Sequence, residues 1–260
     1  MARHLIALAA LLGALLMGAQ PAAAERLIVS ISRHQVLVTS SFTGTSIVLF
    51  GTVEPDTPTS RMRSAYDIAV TVTGPRQTVV TRRKERIFGI WVNADSRTFV
   101  NVPTYLHVLA NRPFDQIANA DTLRRLQIGL DFFQFPQQIG PDVADTVRDD
   151  PFRQNFIRLK TEHQLYGQRS NGVTFLTPAL FRASIPLPAT VPVGNYEVDV
   201  RLFVDGAAIA RTQSALEVYK AGFEQVVSSA ARNHGLLYGI VTAMMALATG
   251  WFASVVFRRD

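Results

Sequence analysis

The chain has 260 residues, a formal net charge of +6 and no cysteine. This length allows one ordinary domain with accessory segments, or two small domains. The missing cysteines exclude a disulfide scaffold, so the folded part must be held together by its own buried core.

Residues 1–24 have the three-part layout of a secretory signal peptide. Arg3 and His4 precede an apolar run that begins at Leu5, and three consecutive alanines end at Ala24. A retained membrane helix is the alternative, but the apolar run is shorter than the roughly 20 residues needed to cross a bilayer. We therefore expect cleavage after Ala24 and export of the rest of the chain.

From Glu25 onward the sequence is typical of short strands separated by Gly and Pro. The clearest early strand, YDIAVTVTGP, alternates along its length up to a turn at Gly74-Pro75. The alternation predicts one face made of Tyr66, Ile68, Val70 and Val72 and an opposite face made of Asp67, Ala69, Thr71 and Thr73.

The middle of the chain, at about 113–167, has helical spacing. One helix is predicted between Pro113 and Gly129, and a second from about Asp150 to Gly167. Pro151 suits the first turn of the second helix, and the spacing allows Phe152, Phe156, Leu159 and His163 to share one face. We interpret this segment as a helical insertion, and a separate small layer that covers one sheet fits equally well.

The strongest local pattern lies in GNYEVDVRLFVDGAAIARTQSALEV. Apolar residues alternate from Tyr196 to Val204, and Asp205-Gly206 is a two-residue hairpin turn. Together with the earlier strands, this hairpin predicts a mainly β domain over 25–220. Its most plausible architecture is an immunoglobulin-like β-sandwich with the helical insertion.

The C-terminal segment is long and apolar enough to span a membrane. A juxtamembrane helix is predicted at 221–234, a transmembrane helix at 235–257 and a cytoplasmic tail at 258–260. No charged residue lies between His234 and Arg258, and Arg259 follows. Export of the N-terminus and these two arginines predict a single-pass protein of the bacterial inner membrane, with its main domain in the periplasm.

Small residues recur along one side of this predicted span. They fall within a wedge of about 100° on a helix and allow close approach of a second helix: Gly235, Gly239, Ala243, Ala246, Gly250 and Ser254. The hypothesis is docking against a larger membrane protein or a second copy. The alternative is the general richness of membrane helices in Gly and Ala.

Basic residues gather in TRRKERIFGIWVN. The patch contains Arg82, Arg83, Lys84 and Arg86 around a lone Glu85. It would suit anionic phospholipid headgroups or an acidic partner surface, and the alternative is charge that protects an exposed edge strand from aggregation. Trp91, in the same stretch, is interpreted as packing in the core, with a ligand groove as its alternative.

Motifs for catalysis and metal binding are missing from the sequence. His34, His107 and His163 have no ligand spacing such as HxxxH, and the chain has no GxSxG elbow, SxxK box or phosphate-binding GxxxxGK[ST] loop. We therefore expect no catalytic, cofactor-binding or metal-binding residues, no cofactor and no nucleic-acid partner.

The stretches FTGTSIVLFG, VTVTGP, RRKERIFGIWVN and KAGFEQ, with GLLYGIVTAMMALATGWFASVVFRR, resemble the alphaproteobacterial putative transmembrane protein family. The resemblance implies a periplasmic domain with one C-terminal membrane helix, and it carries over no catalytic residues. We interpret the chain as a non-enzymatic accessory domain that contacts a larger membrane protein such as a permease. A membrane-tethered ligand-binding or sensing domain is the alternative, and an envelope hydrolase is a weaker one.

Overall fold

The computed structural model describes residues 25–54, 66–139, 141–220, 222, 231–232 and 234–256. The predicted signal peptide at 1–24, the predicted cytoplasmic tail at 258–260 and most of the predicted juxtamembrane helix at 221–234 lie outside the described residues.

Strands dominate the described part of the chain, with 52% strand against 22% helix, which confirms the mainly β prediction. The strands are β1 (Arg26–Ile31), β2 (Gln35–Val38), β3 (Gly44–Glu54), β4 (Asp67–Thr73), β5 (Arg76–Ile87), β6 (Ile90–Pro103), β7 (Leu106–Ala110), β8 (Pro136–Ile139), β9 (Asp142–Asp145), β10 (Tyr166–Arg169), β11 (Val173–Phe175), β12 (Leu180–Pro188), β13 (Gly194–Val204) and β14 (Ala207–Lys220). The helices are α1 (Phe114–Ile117), α2 (Ala120–Leu126), α3 (Pro151–Glu162) and α4 (Gly235–Val256).

The described strands form three sheets. The first sheet has the order β1-β3-β12-β11, the central sheet β10-β7-β4-β13-β14-β2, and the outer sheet β5-β6-β8-β9. The central sheet ends in a parallel pair at each edge, β10 with β7 and β14 with β2. Because of these parallel edges and the outer sheet, the immunoglobulin-like detail of the prediction is not confirmed.

Two apolar cores lie on opposite faces of the central sheet. The first core joins it to the first sheet, as in a sandwich, and includes Ile47, Leu49, Val70, Phe181 and Val200. The second core joins its other face to the segment 113–167 and to β6, and includes Ala69, Phe99, Val108, Phe135 and Phe156. This segment contains β8 and β9 as well as α1, α2 and α3, and it covers one face of the central sheet.

Strand β4 shows the consequence of this double cover. Ile68, Val70 and Val72, which were predicted to share one face, are buried in the first core, and Ala69 on the opposite face is buried in the second. Asp67 is also buried and pairs with the guanidinium of Arg112. The prediction of two faces for β4 is therefore right, and the second face is covered because another layer packs on it.

Helix α3 begins where the sequence predicts. The carboxylate of Asp150 accepts hydrogen bonds from the backbone N–H of Phe152 at 2.7 Å and of Arg153 at 3.2 Å, and Pro151 occupies the first turn. Of the four residues predicted to share a face, Phe152 and Phe156 are buried, whereas Leu159 and His163 are exposed. Arg153, which was not among them, is also buried.

The hairpin of β13 and β14 confirms the strongest local pattern. Asp205 and Gly206 have positive φ values of 48° and 82°, as a two-residue turn of the primed type requires. The register pairs Val204 with Ala207, and alternate residues from Tyr196 to Val204 are buried. The turn sets the pairing of Val204 and Phe203, and a bulge between Phe203 and Leu202 shifts the register by one residue for the rest of the hairpin.

Candidate functional sites

Helix α4 is exposed along its described length. The segment Gly235–Ser254 has a mean hydropathy of 1.6 and none of its apolar window is buried; it is the one candidate membrane span among the described residues. The hydroxyls of Thr242 and Thr249 donate to the backbone oxygens of Tyr238 and Met245, the latter at 2.7 Å. Because the hydroxyls of these two threonines are satisfied within the helix, neither would enter hydrocarbon as an unpaired donor.

The small residues predicted to pack against a partner lie on this exposed helix. A side-chain carbon built at Gly235, Gly239 or Gly250 meets no atom within 4 Å. The other three members, Ala243, Ala246 and Ser254, are exposed as well. Nothing in the described part of the chain covers this face.

The basic residues lie on a long hairpin formed by β5 and β6. The register pairs Ile87 with Ile90 across a two-residue turn at Phe88-Gly89, where φ is 50° and 85°. Strand β6 pairs with β8 only at Phe99 in the described residues, so the outer part of the hairpin projects as a two-stranded ribbon. Strand β5 lies at the edge of the outer sheet, which is the position that the edge-protection alternative requires.

The turn end of this hairpin carries exposed apolar side chains. We call residues 87–92 the hairpin tip. Phe88 is 101% exposed, Ile90 69% and Trp91 66%, and Ile87 and Val92 are exposed as well. The interpretation of Trp91 as a core residue is therefore wrong, because the two-stranded ribbon has no layer packed against its tip.

The two faces of the ribbon differ in charge. The register places Lys84 opposite Asn93 and Arg86 opposite Trp91, and alternation adds Arg82 to this side. On the other side Arg83 forms an ion pair with Glu85 at 2.8 Å. Three of the four predicted basic residues therefore share one face with Trp91, and the fourth is compensated by a carboxylate.

A groove of about 250 Å³ lies between the stem of the hairpin and α3. Its walls combine apolar side chains with four cations: Phe152, Leu159, Arg82, Arg83, Lys84 and Arg158. Arg158 forms an ion pair with Glu162 at 2.6 Å. An anionic group bound here would contact both charge and apolar surface.

A second cleft, of about 510 Å³, lies where β7 and β10 approach the ends of β3 and β12. His107 and Arg169 are among its lining residues. Burial lowers the pKa of His107 to about 4, so its ring is neutral at pH 7. Its Nε2 lies 3.2 Å from the carbonyl oxygen of Gln164 and must donate, which leaves Nδ1 as an acceptor without a partner among the described residues.

The described residues contain no group of three or more His, Cys, Asp or Glu side chains that could hold a metal ion. The sequence did not reveal the hairpin tip, because RIFGIWVN is an almost continuous apolar run in which Gly89 is the single turn residue and the common Asn-Gly or Asp-Gly pair is missing. It also missed the cleft at His107, because the residues that line it come from four separate strands.

A mainly β body followed by one exposed apolar helix defines a membrane protein with a single candidate span in its described part. The sequence agrees with this class over almost its whole length. Residues 26–259 match the family described as Putative transmembrane protein (Alph_Pro_TM), and the chain belongs to this family. The predicted resemblance is therefore confirmed. No curated protein matches the sequence.

Proposed function

We propose that this protein is a non-enzymatic accessory subunit of the bacterial inner membrane. Its β body lies in the periplasm, α4 spans the bilayer and the C-terminus is cytoplasmic. The observation that carries the proposal is the uncovered small-residue face of α4, on a helix whose two threonine hydroxyls are satisfied by its own backbone. Such a helix has the composition of one that packs against another in lipid.

Close packing is the physical basis of this proposed contact. Lipid tails are as apolar as the helix, so association in a membrane depends on van der Waals contact and on close backbone approach. Gly239 and Gly250 lie near the middle of the wedge of small residues, and both face open space. The partner is a larger integral membrane protein such as a permease, or a second copy of this chain.

Crosslinking in intact cells tests the helix contact. Gly239→Ile and Gly250→Ile should reduce both the crosslinked yield and the protein recovered with the full-length chain. Ala248→Ile, which adds a similar side chain on the opposite side of the helix, should leave both unchanged. Equal yields for all three variants would contradict the proposal.

Orientation is tested separately with reporter fusions after Asp260. A reporter that is active only in the cytoplasm should give a signal, and one that is active only in the periplasm should give none. The opposite pattern would place the β body on the cytoplasmic side and would remove the periplasmic part of the proposal.

The cleft at His107 favours a second candidate function, a membrane-tethered ligand-binding or sensing domain. Its volume of about 510 Å³ lies in the range of small-molecule sites, and Arg169 supplies a positive charge for an anionic ligand. Thermal unfolding with a panel of small carboxylates tests it. One of them should raise the melting temperature, and Arg169→Gln should abolish that increase; no shift with any carboxylate would remove this candidate.

A further inference from the structure

We propose that the tip of the β5–β6 hairpin is a second membrane-binding site, which docks on the anionic phospholipid headgroups of the bilayer that holds α4. This inference concerns a different surface from the small-residue face of α4. It therefore stands or falls independently of a helix partner.

The apolar side chains of the tip provide the first argument. Phe88 is fully exposed at the turn, where a water-exposed hairpin would ordinarily have Asn, Asp or Gly. Its φ of 50° is a conformation that bulky residues adopt rarely. An aromatic ring held there, with Trp91 two residues beyond the turn, has the amphipathic chemistry that prefers the membrane interface.

The charge next to the tip provides the second argument. Arg82, Lys84 and Arg86 share one face of the ribbon with Trp91. Arg83 is already paired with Glu85, so the ribbon keeps a net positive charge. Each Lys or Arg near an anionic bilayer improves binding about fivefold, equivalent to about 1 kcal/mol.

The edge-protection interpretation accounts for the cations but not for the tip. Charges along an edge strand discourage pairing with another sheet, but they give no reason for the exposed apolar side chains of Ile87, Phe88, Ile90 and Trp91 at the tip. An exposed apolar cluster bordered by basic residues is the arrangement of an interfacial membrane anchor.

The short chain segment before α4 keeps the β body close to the bilayer. Fourteen residues, 221–234, separate β14 from α4, and they can extend over at most about 50 Å. Tethering at this distance gives the tip a high effective concentration at the lipid surface, so a weak contact is sufficient.

Trp91 is a direct probe for this contact. The chain has two tryptophans, and Trp251→Phe leaves Trp91 as the single one. The full-length W251F chain is reconstituted into lipid nanodiscs of phosphatidylcholine alone, or with added phosphatidylglycerol. In the anionic discs the emission of Trp91 should shift to the blue and be quenched by lipids brominated in the upper acyl chain.

Matched variants separate the site from general charge. Arg82→Ser with Lys84→Ser should reduce the ratio of docked to undocked tip roughly twenty-five-fold. Arg124→Ser with Arg125→Ser removes the same charge from exposed positions on α2 and should leave the ratio unchanged. Phe88→Ser should reduce it about tenfold, and its complete exposure means that folding is not at risk.

Three results would overturn the inference. Identical Trp91 emission in neutral and anionic discs would show that no docking occurs. Equal losses from the two double variants would assign the effect to net charge and not to the hairpin. Shielding of Trp91 in native membranes without quenching by brominated lipid would show that a protein covers the tip.

Discussion

Arg153 offers the sharpest test of the packing described above, because it is a cation buried inside a mainly apolar layer. It is 4% exposed and lies 5.1 Å from the ring centroid of Phe135. Its guanidinium donates hydrogen bonds to four carbonyl oxygens at 3.0 to 3.4 Å, those of Leu130, Asp131, Phe133 and Thr146. Burial lowers the pKa of Arg153, and the carboxylate of Asp145 partly offsets that effect.

Arg153→Met keeps the apolar stem but removes every donor. The bonds to Phe133 and Thr146 are buried, and each buried carbonyl left without a partner costs about 1–3 kcal/mol. Part of this cost is recovered because the variant no longer desolvates a charge. We therefore expect the free energy of unfolding to fall by about 2–4 kcal/mol.

The matched control is Arg158→Met, five residues further along α3. Arg158 is an exposed residue in an i,i+4 ion pair with Glu162, so its loss should cost only about 0.3–0.5 kcal/mol. Pulse proteolysis of the full-length chain across a urea gradient reports unfolding of the body without a signal from α4. Equal midpoints for the two variants would refute the claim that Arg153 holds the 130–146 segment in place.

Three further predictions use the same assay. Burial lowers the pKa of His107 from 6.5 to about 4, so between these pH values the unfolded chain binds a proton at this ring and the folded chain does not. The free energy of unfolding should therefore fall by about 3 kcal/mol as the pH falls from 6.5 towards 4. His107→Phe should flatten this dependence on pH, and an unchanged slope would contradict the prediction. A Cβ on Gly51 would lie 2.7 Å from Cε1 of Phe181, so Gly51→Ala should lower the free energy of unfolding by about 1–3 kcal/mol. Adding Phe181→Leu should recover part of this loss, and no recovery would show that the clash lies elsewhere. Arg112→Ala removes the ionic partner of the buried carboxylate of Asp67 and should lower the free energy of unfolding by about 1–3 kcal/mol. No change would mean that the other hydrogen-bond donors to Asp67 are enough to hold its charge in the folded state.

Local patterns proved most informative where they depend on neighbours in the chain. The Asp205-Gly206 turn and the start of α3 at Asp150 were predicted because turn and capping preferences act over a few residues. The length of α4 was predicted for a similar reason, since an uninterrupted apolar run needs no tertiary partner to be recognised. The family, too, followed from stretches spread over the chain.

The residues of the candidate functional surfaces could be predicted from the sequence, but their exposure could not. The basic residues from Arg82 to Arg86 and the small residues of α4 could be named from sequence, because their chemistry is visible in the residue types. Whether Trp91 lies in a core or at an exposed tip depends on which layer packs beside β6, and no periodicity contains that information.

The amino-acid sequence by itself thus determined the mainly β class, the apolar C-terminal helix and the hairpin of β13 and β14. Only the tertiary structure decided that β4 is covered on both faces, that Arg153 is buried and that the hairpin tip is exposed. Periodicity shows that the two faces of an element differ, whereas burial is set by the elements that pack on each face, and these are distant in sequence.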